Sequence, residues 1–142
     1  MRIYELLRAK GGQVITVHPR TPVTDVLVTM KDYNLGSVVI STDGRQISGI
    51  VTERDVVRRL VDGPEFLTGP VSDIMTVEVY TCRPDESVGS LMATMTNRRI
   101  RHLPVVDDRG GLAGLVSIGD AVKSHITEIE FERDQLQGYV SG

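Results

Sequence analysis

Two short motifs each bring a hydroxyl and a carboxylate to the start of a predicted helix: Thr52-Glu53-Arg54-Asp55 and Ser117-Ile118-Gly119-Asp120. Each follows a short apolar run opened by a glycine, Gly49-Ile50-Val51 in one case and Gly114-Leu115-Val116 in the other. The glycine permits close backbone approach. The unpaired N–H groups of a helix's first turn favour anions and polar ligands. Two chemistries fit this pattern. In one, the hydroxyl and carboxylate satisfy those N–H groups themselves, as near-capping boxes. In the other, the carboxylate accepts both hydroxyls of a ribose diol and the Thr or Ser hydroxyl adds a third contact. The two are compatible.

Other reactive side chains are sparse. His18, His102 and His125 are not clustered as metal ligands are, and Cys82, the single cysteine, cannot complete a zinc set or form an intramolecular disulfide. No Ser-His-Asp order, nucleophile motif, Walker-A loop or Gly-x-Gly-x-x-Gly run is present. Binding is therefore expected rather than catalysis, and the chain is not expected to be an enzyme. The net charge of -3 argues against a nucleic-acid partner, which would demand a basic face, while leaving room for a small anion held by a few arginines. No apolar run reaches the ~20 residues of a membrane helix and the N-terminus carries no signal-peptide core, so a cytoplasmic protein is the expectation.

The elements that must position the two motifs come as a repeat. Residues 14–61 align without a gap onto residues 79–126 at a constant shift of 65, and eleven of the 48 pairs are identical, against about three expected from average residue usage. Each copy reads β-α-β-β-α. Short strands are predicted over 14–17 and 79–82, each followed by a proline, Pro19 or Pro84. A helix follows, with Val23, Val26, Leu27 and Met30 on one face in the first copy and Val88, Leu91, Met92 and Met95 in the second. Thr21 followed by Pro22 reads as an N-cap with proline at the first helical position. Strands are predicted over 38–40 and 47–51, and over 103–106 and 112–116, around turns rich in Asp and Gly. The second helix of each copy is expected to start near Asp55 or Asp120. Short helical segments are predicted before each copy, over 3–7 and 71–75. The last helix, from Asp120 to about Gln137, is much longer than its counterpart. It carries Val122, Ile126, Ile129, Leu136 and Val140 as a stripe interrupted by Arg133. That stripe either packs on its own domain or makes a helix–helix contact between subunits.

The tandem repeat resembles a pair of cystathionine-β-synthase (CBS) domains, the arrangement called a Bateman module. The residues that carry the likeness are the two G-h-h-[ST]-x-x-D motifs, the stretch Arg101-His102-Leu103-Pro104-Val105-Val106-Asp107, and the lead-in Asp73-Ile74-Met75-Thr76. The likeness spans about residues 3–126. It implies an α+β fold of the sandwich-like α/β kind, in which two pseudo-twofold-related β-α-β-β-α repeats pack as one module with an extended C-terminal helix. The division is residues 1–62 for the first repeat with its lead-in, 63–70 for a linker, 71–126 for the second repeat and 127–142 for the helical extension.

The same resemblance implies adenosine ligands (AMP, ADP, ATP or S-adenosylmethionine) in clefts between the repeats and no obligatory cofactor. The ribose would be held by Thr52 with Asp55 and by Ser117 with Asp120. The phosphate would be held by Arg54, Arg101 and His102. By the pseudo-twofold, Thr52 and Asp55 would share a cleft with Arg101 and His102, and Ser117 and Asp120 a cleft with Arg54. The matching positions for Arg101 and His102 in the first copy are Gly36 and Ser37, and for Arg54 in the second copy Gly119, so the clefts are not chemically equal. A single arginine suits a monophosphate better than a triphosphate, so AMP is favoured. A homodimer and a separate regulated protein are the expected partners.

Overall fold

The structure, a computed structural model, describes residues 1–11 and 13–141, without the side chains of Val140 and Ser141. Of the predicted stripe, Val140 is therefore outside the described side chains. The fold is α+β. The elements are α1 (Ile3–Lys10), β1 (Thr16–Val17), α2 (Val23–Asp32), β2 (Ser37–Ile40), β3 (Gly49–Thr52), α3 (Glu53–Leu60), α4 (Val88–Arg98), β4 (His102–Val106), β5 (Leu112–Ser117) and α5 (Ile118–Ser141), with 3-10 turns at Glu65–Thr68 and Val71–Asp73.

Two compact units interleave along the chain. One comprises Gln13–Tyr80 and Val106–Ala113, the other Met1–Gly12, Thr81–Val105 and Gly114–Gly142. Each copy is packed with the lead-in of the other: the first with the segment that directly follows it, the second with α1, which lies beyond the first copy in sequence. Val71 and Ile74, which precede the second copy, are buried with Val23, Val26, Met30, Val38, Ile40, Val51 and Val56 of the first. Ile3 and Leu6, which precede the first copy, are buried with Val88, Leu91, Met95, Leu103, Val105 and Val116 of the second. Complete burial of a side chain such as Ile3 contributes about 1.5–3 kcal/mol, so α1 stabilises the unit that begins about 80 residues later.

In the first unit, β1 pairs parallel with β2 and β2 antiparallel with β3, with Ser37 opposite Thr52 and Val39 opposite Ile50. In the second, β4 and β5 pair as a two-stranded sheet. The strand predicted over 79–82 is reduced to a single bridge, Cys82 beside Val105. The Cys82 N–H reaches the Pro104 carbonyl at 3.0 Å, but Pro104 has no N–H to return to the segment before Cys82, so the ladder stops there. Its counterpart in the first copy is Val39, which pairs with Thr16 and lets β1 form.

The predicted helical faces are the ones buried: Val23, Val26 and Met30 on α2, Val88, Leu91 and Met95 on α4. The cap predicted at Thr21 is not made. Pro22 takes the N-cap position with no side-chain cap bond. The chain there is held instead by tertiary pairing: the Val23 N–H donates to the Gly69 carbonyl at 3.0 Å, and Pro22 bridges Pro70. The helices predicted to begin near Asp55 and Asp120 start two residues earlier, at Glu53 and Ile118. Asn34 and Arg99, at matching positions after α2 and α4, both adopt left-handed backbone. They turn the chain into β2 and β4.

Candidate functional site

The site is built on the two corners where β3 enters α3 and β5 enters α5. Both corners form full reciprocal boxes. At the first, the Asp55 N–H donates to Thr52 Oγ1 at 3.2 Å and the Thr52 N–H to Asp55 Oδ2 at 2.9 Å. At the second, the Asp120 N–H donates to Ser117 Oγ at 3.1 Å and the Ser117 N–H to Asp120 Oδ2 at 2.9 Å. The Thr52 and Ser117 backbones stay extended by strand pairing while their side chains already belong to the helix, so hydroxyl and carboxylate stand together at the helix start. The start of the neighbouring strand closes each corner in the same way: the Glu53 N–H donates to the Gly36 carbonyl, and the Ile118 N–H to the Arg101 carbonyl.

The two motif glycines serve contacts within each unit. A Cβ at Gly49 would lie 2.7 Å from Met75 Sδ and 2.8 Å from the Thr76 carbonyl oxygen. A Cβ at Gly114 would lie 2.7 Å from Leu7 Cδ2. The close approach expected at these residues is thus the approach of the lead-in segments.

The corners differ in their charge environment. Lys10, the last residue of α1, sets its Nζ 2.6 Å from Asp120 Oδ2 and 2.8 Å from the Leu115 carbonyl oxygen. Partial burial pushes the Asp120 carboxyl upward, but the Lys10 ammonium and the Ser117 N–H and hydroxyl outweigh it and hold the group below its ordinary value. Beside the other corner, Ser37 faces the same side of the sheet as Thr52, being directly opposite it in register. Its Oγ is buried and without a hydrogen-bond partner among the described residues.

Of the predicted phosphate ligands, Arg54 is exposed on the first turn of α3, Arg101 is exposed just before β4, and His102 is half-buried at the start of β4. Thr52, Arg54 and Asp55 fall in one unit; Arg101, His102, Ser117 and Asp120 fall in the other. Lys10 was not among the predicted site residues. Its contact lies 110 residues away in sequence, beyond any local pattern. The lead-in helix was predicted only over 3–7, so Lys10 lay beyond it, and α1 reaches Lys10 only in the structure. Among the described residues no group of three or more His, Cys, Asp or Glu gathers to hold a metal. Cys82 is buried, and burial together with the charge of Glu86 pushes its thiol up to about 12. It is inert as a nucleophile at neutral pH.

The CBS domain matches residues 10–62 and 71–126. The chain belongs to the CBS-domain family. A curated relative, the mitochondrial CBS domain-containing protein CBSX3 of Arabidopsis thaliana, is 36% identical over 149 residues, covering 99% of this chain and 72% of that protein. The crystal structure of the CBS-domain containing protein ATU1752 from Agrobacterium tumefaciens superposes with a TM-score of 0.83 at 38% identity, covering 88% of this chain and 99% of that one. The CBS domain protein PAE2072 from Pyrobaculum aerophilum, solved in complex with AMP, superposes with a TM-score of 0.75 at 26% identity, covering 84% and 89%. The doubled strand-to-helix corners are thus the tandem CBS pattern that the sequence motifs suggested.

Proposed function

We propose that this CBS-domain pair is a regulatory module, not an enzyme, that binds adenosine nucleotides, AMP foremost, at its strand-to-helix corners. The observation that carries the reading is the doubled corner itself. A carboxylate, a hydroxyl and the N–H groups of a helix start converge at Thr52/Asp55 and again at Ser117/Asp120. A carboxylate is an acceptor-only group suited to a vicinal diol, and the hydroxyl can donate or accept. Arg54, Arg101 and His102 are the proposed phosphate-binding cations, and the supply of one arginine per copy favours a monophosphate. The complex of the Pyrobaculum aerophilum relative with AMP supports this choice of ligand. A homodimer built through α5 and a separate regulated protein complete the proposal.

A second reading has its own support, because the reciprocal box bonds make Asp55 and Asp120 competent helix caps. On that reading the chain is an interaction scaffold and the corners hold no ligand. Calorimetric titration of AMP into wild type, Asp55→Ala and Asp120→Ala separates the two. A hydrogen bond to a charged group contributes roughly 1.5–3 kcal/mol, so the nucleotide reading predicts that loss of a working ribose carboxylate weakens its site about 10- to 100-fold. Lowered thermal stability in the variants with no nucleotide binding by any of the three proteins establishes the scaffold reading instead.

A further inference from the structure

The two corners differ in what they leave open for a ligand. A carboxylate oxygen has two lone-pair directions. At Asp55, Oδ2 accepts the Thr52 N–H alone among the described residues, which leaves one direction on Oδ2 and both on Oδ1. A vicinal diol can donate one hydroxyl to each oxygen there. At Asp120, Oδ2 accepts both the Ser117 N–H and Lys10 Nζ, so that oxygen is filled.

The cause is a difference in how the lead-ins cover their strands. The Ile50 carbonyl on β3 accepts the Thr76 N–H at 2.8 Å, and the Thr76 carbonyl accepts the Ile50 N–H at 3.0 Å. The Leu115 carbonyl, at the matching position of β5, accepts from Lys10 Nζ at 2.8 Å. One carbonyl is met by a main-chain N–H, which has no second donor. The other is met by an ammonium, which has three and places another on Asp120. The residue 65 positions after Lys10 is Met75, an apolar side chain lying against Gly49. Lys10 Nζ thus bridges the Leu115 carbonyl and the Asp120 carboxylate. The unpartnered Ser37 hydroxyl opposite Thr52 adds one more open polar group at the Asp55 corner, where the matching residue of the other copy is His102.

We propose that Lys10 occupies the diol-binding face of Asp120, so that the chain has one adenosine site of full strength, at Asp55, and a latent one at Asp120 that opens when Lys10 is withdrawn. This rests on the ribose reading above. Lys10→Met copies the residue found at the matching position, and Lys10→Ala, which favours the helix, serves alongside it. AMP is titrated by calorimetry into wild type, Asp55→Ala, each Lys10 variant, and each Lys10 variant combined with Asp55→Ala, with folding checked by circular dichroism.

The expected result is a single site in wild type, lost or weakened at least roughly tenfold in Asp55→Ala. Binding should return, at least roughly tenfold tighter than in Asp55→Ala, when Lys10 is also replaced. Lys10→Arg, which keeps the cation, should leave the Asp120 corner closed. If the double variants bind as weakly as Asp55→Ala while wild type binds, the inference about Lys10 fails and the ribose reading stands. A Lys10 replacement that weakens AMP binding makes Lys10 a ligand contact and overturns the inference in the same way. If wild type binds no AMP, ADP, ATP or S-adenosylmethionine, the ribose reading fails and takes this inference with it.

Discussion

Gly49 and Gly114 hold the same place in the two repeats, yet the space above them is filled by different things. Over Gly49 lies main chain, the Thr76 carbonyl, fixed by its bridge to Ile50; over Gly114 lies the end of a flexible side chain, Leu7. A methyl group at Gly49 must displace backbone, whereas one at Gly114 can be met by a rotation of Leu7. Gly49→Ala is therefore expected to destabilise by about 1–3 kcal/mol and Gly114→Ala by clearly less. Thermal melts of the two variants check this, and equal losses would contradict the packing described here. The residues of the corners were legible in sequence because their bonds are local, reaching only from position i to i+3. The box at Thr52/Asp55 and that at Ser117/Asp120 were both anticipated. Lys10 was not, because its bond to Asp120 depends on where α1 docks, which no local spacing encodes.

At the scale of elements, the helices were more legible than their ends. Apolar spacing identified the buried faces of α2 and α4 because burial imposes the 3.6-residue period directly. The missing cap at Thr21 and the missing strand before Cys82 have tertiary causes: the pairing of Pro22 and Val23 with 69–70, and the absent N–H of Pro104. The C-terminal helix α5 runs for 24 residues, longer than predicted. It turns Ala121 inward and Ile126, Ile129 and Leu136 outward, with 50%, 51% and 67% of their surface exposed. The stripe therefore does not pack on its own domain, the first of the two readings open in the sequence. The proposed homodimer uses this face. Light scattering with size-exclusion chromatography is expected to show a dimer for wild type and a monomer for Ile126→Asp, because a buried unpaired carboxylate is costly. A wild-type monomer, or an unchanged dimer in the variant, would rule out α5 as the dimer contact.

For the whole molecule, the repeat was the most legible feature. Two copies in register predicted two corners of one backbone design, and the chain has them, with the same reciprocal box bonds and unequal surroundings. What the repeat did not convey is the interleaving, in which each lead-in is buried with the other copy's core. The second copy is thereby completed by α1, distant in sequence, and the first by the segment that directly follows it. This bears on regulation, since a ligand shifts an equilibrium only by the difference in its affinity for the two states. On the proposal made above, that difference at the Asp120 corner would pass through α1 and Lys10.

Whether the corners read a ribose diol is tested by calorimetric titration of the wild-type protein with AMP and with its 2′,3′-dideoxy analogue. The two ligands share base and phosphate and differ only in the hydroxyls assigned to Asp55. Saturable binding of AMP is expected, with at least roughly tenfold weaker binding of the dideoxy compound. Equal affinity for both would contradict it and would place the recognition of the nucleotide elsewhere on the chain.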